Sequence, residues 1–236
     1  MTNKKTALIT GASKGLGYAL AEYLAHNGWN LLINARNAKQ LLEAKKHLEP
    51  FTKVIAIAGD VRDEIHLLQL AEALQTSHWQ LDLLVNNASA LGKSPMPQLL
   101  DHPVDDLHII FHTNMIAPIS LLQKVQPHLS PNATIINVSS DAGAEAYENW
   151  GPYGGSKAGL DHMTAILAKE YPQYHSYAFD PGDMRTDMHQ AAFPGQDISD
   201  RPLPTEKAIP AIIRLIENEL PSGRYTAATL LKEQLI

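Results

Sequence analysis

The stretch ALITGASKGLG, residues 7–17, decides the fold because it joins a strand pattern to a glycine-rich turn and a helix pattern. Residues 7–10 are a short apolar run that predicts a strand, and residues 15–26 have helical periodicity. Glycine has no Cβ, so Gly11, Gly15 and Gly17 allow the backbone to turn sharply and approach a ligand closely. Alone, such a turn is often only a tight connection. Between a strand and a helix it predicts a site for the phosphates of a dinucleotide.

Short apolar runs alternate with longer amphipathic stretches through the rest of the chain, as a doubly wound parallel sheet requires. The predicted strands are 7–10, 31–34, 54–58, 81–85, 134–138 and 176–179, with a weaker seventh at 225–229. The predicted helices are 15–26, 38–49, 64–76, 104–129, 152–171 and 205–219. We therefore predict an α/β fold: one Rossmann-like domain over residues 1–236, with about seven parallel strands and helices on both faces.

Prolines mark two irregular places in this pattern. Pro118 falls inside the long segment 104–129, so we expect a kink there or a helix that restarts near it. Residues 180–204 carry four prolines and two glycines, which makes them longer and less regular than most connections. We assign residues 183–206 as a substrate-binding loop region.

Composition excludes several classes of protein. With 44% hydrophobic and 19% charged residues the chain is neither disordered nor fibrous, and a net charge of −6 without a dense basic run argues against nucleic acid as a partner. The absence of cysteine excludes disulfides, thiolate nucleophiles and cysteine-bearing zinc sites. The eleven histidines form no HExxH motif, so we predict no metal site. The N-terminal apolar stretch is too short for a leader or a membrane span, and we expect a cytoplasmic protein that does not bind membranes.

The residues after the second predicted strand indicate which dinucleotide binds. An NAD site usually has a carboxylate there for the ribose 2′-hydroxyl, whereas a basic residue accommodates a 2′-phosphate. Residues 30–42 contain no acid, Arg36 follows the strand, and Lys14 lies in the glycine turn. These two cations predict NADP(H) as the cofactor, the alternative being that both are solvated surface charges.

A second group of polar residues lies further along the chain. NNAS at residues 86–89 follows the fourth strand, Asn114 lies in the long helical segment, and Ser140 follows the fifth strand at the edge where such sheets bind ligands. Tyr153 and Lys157 are four residues apart and therefore share one face of a helix. Each feature alone has an ordinary structural explanation, such as a surface pair or a helix-packing residue.

Taken in order along the chain, these motifs resemble those of the short-chain dehydrogenase/reductase family. TGxxxGxG, NNAG, a helical Asn, Ser…YxxxK and PGxxxT correspond to residues 10–17, 86–89, 114, 140…153–157 and 181–186. The resemblance implies a catalytic set of Asn114, Ser140, Tyr153 and Lys157. It implies cofactor contacts from Gly11, Ser13, Lys14, Gly15, Leu16, Gly17, Arg36, Asp60, Val61, Asn87, Ala88, Tyr153, Lys157, Pro181, Gly182, Met184 and Thr186. Two departures are visible: Ser89 replaces the usual Gly of NNAG, and Asp180 replaces the frequent Asn before Pro181.

The resemblance implies hydride transfer between nicotinamide and a small carbonyl or alcohol substrate. In that reaction Tyr153 would act as the acid or base, Ser140 would donate to the substrate oxygen, and Asn114 would hold a water that links Lys157 to solvent. A fall in the pKa of Tyr153 from ~10 to near 7 requires about 4 kcal/mol of preferential stabilisation of the phenolate. We expect Lys157 and the positive nicotinamide ring to supply it.

Other assignments stay open at this point. Residues Tyr147, Trp150, Met184, Met188, His189 and Phe193 would line an apolar substrate cleft or serve as ordinary packing. An epimerase or dehydratase of the same superfamily usually has a longer substrate domain, and a catalytically weak nucleotide-binding or regulatory protein is the alternative from another class. The resemblance also implies a homo-oligomer, a dimer or tetramer, formed through the helices between residues 104 and 171.

Overall fold

The apolar runs of the sequence form the strands of one parallel sheet. A computed structural model describes residues 4–217 and 220–232. The strands are β1 Thr6–Thr10, β2 Asn30–Ala35, β3 Val54–Ala58, β4 Leu81–Asn86, β5 Leu129–Val138, β6 His175–Asp180 and β7 Gly223–Thr226. They lie in the order β3-β2-β1-β4-β5-β6-β7, with every pair parallel. The order reverses at β1, so the carboxyl ends of β1 and β4 open a crevice at this switch point.

Side chains of the central strands pack alternately on the two faces of the sheet. In β1, Leu8 joins a buried cluster on one face, and Ile9 joins a second cluster on the other. Leu32 and Ile33 of β2 likewise pack into the two clusters on opposite faces of the sheet. Because both faces are covered, these strands appear in the sequence as continuous apolar runs without polar alternation.

Nine α-helices cover the sheet in the described residues. They are α1 Gly15–His26, α2 Ala38–Leu48, α3 Glu64–Ser77, α4 Val104–Phe111, α5 Ala117–Val125, α6 Gly151–Glu170, α7 Asp187–Ala192, α8 Ala208–Glu217 and α9 Ala227–Lys232. Helices α1, α2, α8 and α9 contribute to the cluster that contains Ile9, whereas α3, α5 and α6 contribute to the cluster that contains Leu8. The predicted fold class, with helices on both faces, is confirmed.

The predicted helix over 104–129 is wrong as a single element. A π-helical turn, His112–Ile116, separates α4 from α5, and a short 3₁₀ turn leads into β5, which already begins at Leu129. Pro118 lies in the first turn of α5, where its missing N–H costs little. The expectation that a helix restarts near Pro118 is therefore confirmed.

The carboxyl-terminal end also departs from the prediction. The strand predicted at 225–229 is observed at Gly223–Thr226 instead. It ends there because α9 begins at Ala227. The Thr226 Oγ1 caps this helix by accepting from the Thr229 N–H at 3.0 Å. The irregular stretch 180–204 contains the short helix α7, whose N-cap is Thr186. Residues 218–219 of the predicted helix 205–219 lie outside the described residues.

The described part of the chain contains no helix that is both long and apolar enough to cross a bilayer. In that part, too, no three His, Asp or Glu side chains converge as metal ligands would.

Candidate active site

The glycine-rich turn is held against the end of β4 by Asn87. The Asn87 Nδ2 donates to the carbonyl oxygens of Thr10 at 2.8 Å and Gly11 at 3.2 Å. Gly11 has a φ of +66°, which favours glycine, and a Cβ on Gly17 would lie 2.5 Å from the Gly11 oxygen. The glycines therefore shape the turn itself and let α1 begin directly behind it.

A cavity of about 820 Å³ opens beside this turn, at the carboxyl ends of the central strands. Most of the residues assigned to the cofactor line it: Gly11, Ser13, Lys14, Gly15, Leu16, Arg36, Asp60, Val61, Asn87, Ala88, Tyr153, Lys157, Pro181, Gly182, Met184 and Thr186. Ser140 lines it too, while Gly17 packs behind the turn and Asn114 lies buried below the cavity. The structure thus brings the two halves of the sequence motif to one cavity.

The charged residues at the β2 end of the cavity differ in their surroundings. Arg36 is exposed and close enough to Asp60 to lower the pKa of that carboxyl, although the hydrogen bonds from Arg62 are the larger cause. Lys14 instead pairs with Asp187 at the start of α7, with 2.6 Å between Nζ and Oδ2. Arg36 is consequently the cation that faces this end of the cavity, and Lys14 links the glycine turn to the loop after β6.

Tyr153 and Lys157 share one face of α6, as their spacing predicts, and both are buried. The Lys157 Nζ lies 5.6 Å from the centre of the Tyr153 ring and donates to the Val138 carbonyl at 2.7 Å. Burial raises the pKa of Tyr153 to about 12, and it lowers the pKa of Lys157 to about 8. Desolvation of the phenolate is thus the largest influence of the chain itself on the pKa of Tyr153, and the fall expected from Lys157 together with a positive nicotinamide ring stays a prediction.

Ser140 lies at the end of β5, beside Tyr153. Its hydroxyl donates to the Asp141 carboxylate at 2.9 Å, and the other oxygen of that carboxylate accepts from Tyr147 at 3.1 Å. Burial is the main cause that raises the pKa of Tyr153, Ser140 opposes this rise, and the negative charge of Asp141 adds to it. The serine is thus placed to contact both the phenol and a ligand in the cavity.

Asn114 lies in the π-helical turn and joins three segments below the cavity. Its Nδ2 donates to the Ala90 carbonyl at 2.9 Å and to Ser156 Oγ at 3.0 Å. Its Oδ1 accepts from the Ala90 N–H at 2.7 Å and from the Ser89 hydroxyl at 3.1 Å. Since Lys157 bonds Val138 instead, Asn114 and Lys157 lie in separate hydrogen-bond groups.

Sequence reasoning missed Arg224, an arginine on β7. Its Nη2 donates to the Ser140 carbonyl at 3.0 Å and to Asp180 at 3.2 Å, and its Nε lies 2.9 Å from Asp161 on α6. Burial raises the pKa of Asp180, and the contact with Arg224 opposes that rise. Arg224 therefore ties β5, β6 and α6 together beneath Ser140. No motif marks it, since its partners are 44 to 84 residues away along the chain.

Trp150 lines the cavity near Tyr153, and further aromatic side chains pack against it. Trp150 packs edge-on against Tyr153 at 5.6 Å between ring centres and lies 5.9 Å from Phe193, which in turn contacts His189 at 4.8 Å. Met188 and His189 line the cavity, whereas Met184 also packs against the core. Tyr147 lies 6.4 Å from Trp150 at the outer end of this wall. The region 183–206 thus supplies Met188, His189 and Ala192 to the lining of the cavity that contains Tyr153.

Comparisons with known proteins agree with this geometry. A family model described as short chain dehydrogenase matches residues 5–197. Diacetyl reductase, (S)-acetoin forming, of Staphylococcus epidermidis is 32% identical over 190 residues, which cover 78% of this chain and 73% of that protein. Sepiapterin reductase of Mus musculus is 30% identical over 199 residues, covering 78% of this chain and 76% of that protein.

A solved structure shows the same likeness in three dimensions. It is described as a short chain dehydrogenase from Escherichia coli CFT073 complexed with NADPH, and it superposes with a TM-score of 0.87 at 25% identity. The superposition covers 95% of this chain and 97% of the other.

Proposed function

This chain belongs to the short-chain dehydrogenase family, and on that basis we propose that it is an NADP(H)-dependent oxidoreductase that interconverts a carbonyl and an alcohol. The observation that carries the proposal is the placement of Tyr153, Lys157 and Ser140 in the same cavity as the glycine turn. A carbonyl reduction needs a proton on oxygen and an oriented substrate, and these are what the protein supplies.

The cavity fits a nicotinamide dinucleotide. The glycine turn and the start of α1 can present backbone N–H groups to a pyrophosphate, and Asp60 and Val61, which the family resemblance assigns to adenine, line the same cavity. At the same end, Asn34 Oδ1 is buried without a hydrogen-bond partner among the described residues. We propose that Pro181, Gly182, Met184 and Thr186 border the nicotinamide. When bound, the cofactor supplies the hydride for the carbonyl carbon.

The chain's own groups favour reduction at neutral pH. With a pKa near 12, Tyr153 keeps its proton and can give it to the oxygen of a reduced carbonyl. Ser140 donates a hydrogen bond to the same oxygen once its hydroxyl turns from Asp141. Lys157, with a pKa near 8, remains largely cationic at pH 7 and stabilises the phenolate left behind.

The preference for NADP(H) rests on Arg36 and on the absence of an acid in residues 30–42. An exposed guanidinium at the β2 end of the cavity can bind a 2′-phosphate through charge-assisted hydrogen bonds. That one structural neighbour is complexed with NADPH supports this preference.

The substrate class is proposed from the site and from the relatives. The apolar lining that includes Leu91, Trp150 and Ala192 suits a small apolar carbonyl compound. The names of the two relatives describe reductases of diacetyl and sepiapterin, so these compounds and simple aromatic ketones are suitable first substrates.

Replacement of the proposed proton donor tests the function. Tyr153→Phe should leave NADPH binding intact and lower kcat at least about 100-fold, because the general acid is lost. NADPH absorbance with the carbonyl panel measures turnover, and fluorescence titration measures binding. Tyr23→Phe, at an exposed tyrosine of α1, is the matched control. Substantial turnover by Tyr153→Phe would contradict the proton-donor role, and a wild-type protein that binds NADPH without turnover would favour a nucleotide-binding regulatory function.

Self-association is also part of the proposal. An apolar groove runs between α5 and α6, with Ile119, Leu122, Met163 and Ile166 among its lining residues. Ile166 is 43% exposed, and this face belongs to the helices through which the family resemblance predicts a dimer or tetramer. We further propose a cytoplasmic location.

A further inference from the structure

The backbone of Ser140 lies just beyond the point where β5 stops bonding to its neighbour in the sheet. The Ser139 N–H donates to the Phe179 carbonyl at 2.7 Å, at the end of the ladder between β5 and β6. Pro181 follows β6 and has no N–H, so it cannot donate the next bond of a parallel ladder. The position of Ser140 is therefore left to other contacts.

Arg224 makes such a contact from another strand. The Ser140 carbonyl accepts from the Gly143 N–H at 3.1 Å and from the Arg224 Nη2 at 3.0 Å. Gly143 belongs to the 3₁₀ turn that Ser140 itself caps, so it cannot fix that turn relative to the sheet. Arg224 lies on β7, which is next to β6 in the sheet order, and reaches past one strand to Ser140.

Two buried carboxylates hold the guanidinium of Arg224 in this orientation. Its Nη2 donates to Asp180 Oδ2 at 3.2 Å, and its Nε lies 2.9 Å from Asp161 Oδ2. The side chains of Asp180 and Asp161 are only 7% and 14% exposed. Because a guanidinium is a rigid plane with donors in fixed directions, contacts through two of its nitrogens fix where the remaining donors point. The pair of carboxylates thus directs Arg224 to the Ser140 carbonyl.

Asp180 also connects Arg224 to the turn after β6. Its Oδ1 accepts from the Gly182 N–H at 2.9 Å, while its Oδ2 binds Arg224. An asparagine, which is frequent at this place in the family motif, has one amide oxygen and no charge. Aspartate provides an acceptor for the turn and a second one for the arginine. Asp180 and Arg224 are therefore a matched pair between the turns that follow β5 and β6.

We propose that Arg224 is a positioning residue for Ser140, which fixes the backbone of this serine so that its hydroxyl reaches the substrate oxygen. The inference rests on the proposed function, in which Ser140 donates a hydrogen bond to that oxygen. Arg224 is not among the described residues that line the cavity. Its effect on turnover therefore passes through Ser140.

Arg224→Gln and Arg224→Lys, each made in the wild type and in Ser140→Ala, test this role. Lysine keeps a positive charge beside the two carboxylates but lacks the planar fork, so this variant should fold even where Arg224→Gln does not. Both substitutions should lower kcat about 10- to 100-fold, since displacement of a hydrogen-bond donor by about 1 Å has an effect of this size. The dissociation constant of NADPH should change less than about twofold.

The Ser140→Ala background separates positioning from general damage. There the same Arg224 substitutions should change kcat less than about twofold, because the hydroxyl that Arg224 positions is already absent. Arg214→Gln is the matched control, since Arg214 of α8 also donates to a backbone carbonyl, that of Leu230 on α9. An equal loss of kcat in both backgrounds would overturn the proposal.

Amide hydrogen exchange provides a readout that does not depend on turnover. Both Arg224 variants should accelerate exchange in residues 140–144, where the Gly143 N–H bonds the Ser140 carbonyl, and leave residues 81–86 of β4 as in wild type. Unchanged exchange in 140–144, or equal acceleration in β4, would overturn the positioning role. Local acceleration in a protein whose wild type reduces none of the carbonyl compounds would refute the proposed function alone.

Discussion

At the scale of single residues, Arg36 is the position where cofactor choice can be changed with the least effect on the fold. Its side chain is exposed, lines the cavity and forms no ion pair with the residues that the structure describes, whereas Arg62 nearby makes a two-pronged contact with Asp60. The guanidinium of Arg36 is therefore available to a ligand.

Arg36→Ala should lower kcat/KM with NADPH by about 10- to 100-fold, because charge-assisted hydrogen bonds to a phosphate contribute roughly 1.5 to 3 kcal/mol. The value with NADH should change little. Steady-state kinetics with both cofactors measure the ratio, and Lys39→Ala, an exposed cation on α2, is the control. An unchanged NADPH/NADH ratio in Arg36→Ala would argue against the proposed 2′-phosphate contact.

At the scale of elements, two glycines at the junction of β1 and α1 have different structural roles. Gly11 supplies a backbone conformation with positive φ, while Gly17 supplies space. A Cβ on Gly17 would lie 2.5 Å from both the Gly11 oxygen and the Asn87 Nδ2, and the first of these is backbone that cannot move alone. The phosphate turn and the start of α1 are consequently one packed unit.

Gly17→Ala should therefore destabilise the protein by about 2 kcal/mol or more and weaken cofactor binding, since the clash displaces the turn. Urea unfolding and calorimetric titration with NADP⁺ measure the two effects. Gly223→Ala is the matched control, because its Cβ would meet only the Tyr225 ring at 3.9 Å. Wild-type stability and affinity in Gly17→Ala would show that the turn tolerates the extra atom.

At the scale of the whole molecule, the buried ammonium of Lys157 makes stability depend on pH. Its pKa falls from 10.5 to about 8 on burial, so between these values the unfolded chain binds a proton that the folded chain does not. Stability should accordingly rise as the pH increases from about 8. Tyr153 acts in the opposite sense above pH 10, because its pKa rises from 10.0 to about 12 in the folded protein. The rise is therefore confined to about pH 8 to 10.

Lys157→Met should raise the free energy of unfolding at pH 7 by about 1 to 3 kcal/mol and abolish the increase between pH 8 and 10. The buried charge is removed, at the smaller cost of an unpaired Val138 carbonyl. Activity should be lost in the same variant. Urea unfolding at several pH values measures the effect, with Lys169→Met at the end of α6 as the control. A variant less stable than wild type at pH 7 would contradict this account.

The extent of successful prediction differs between the fold and the site. The first six strands, the α1 boundaries and the pairing of Tyr153 with Lys157 on α6 could be predicted, since each depends on spacing within a few residues. The continuous helix over 104–129 could not be divided from periodicity alone, because the segments on both sides of the π-helical turn are themselves helical. The extent to which burial raises the pKa of Tyr153 could not be predicted, because burial cannot be read from a motif.

The sequence by itself determined that strand, glycine turn and helix follow one another, and that Tyr153 and Lys157 point the same way, because neighbouring residues encode these relations. Only the tertiary structure decided that Arg224 holds the Ser140 carbonyl from 84 residues away, and that the Ser89 hydroxyl donates to Asn114 from 25 residues away. The physical reason is that such contacts depend on strand order and helix packing. Both are settled by the burial of the entire core.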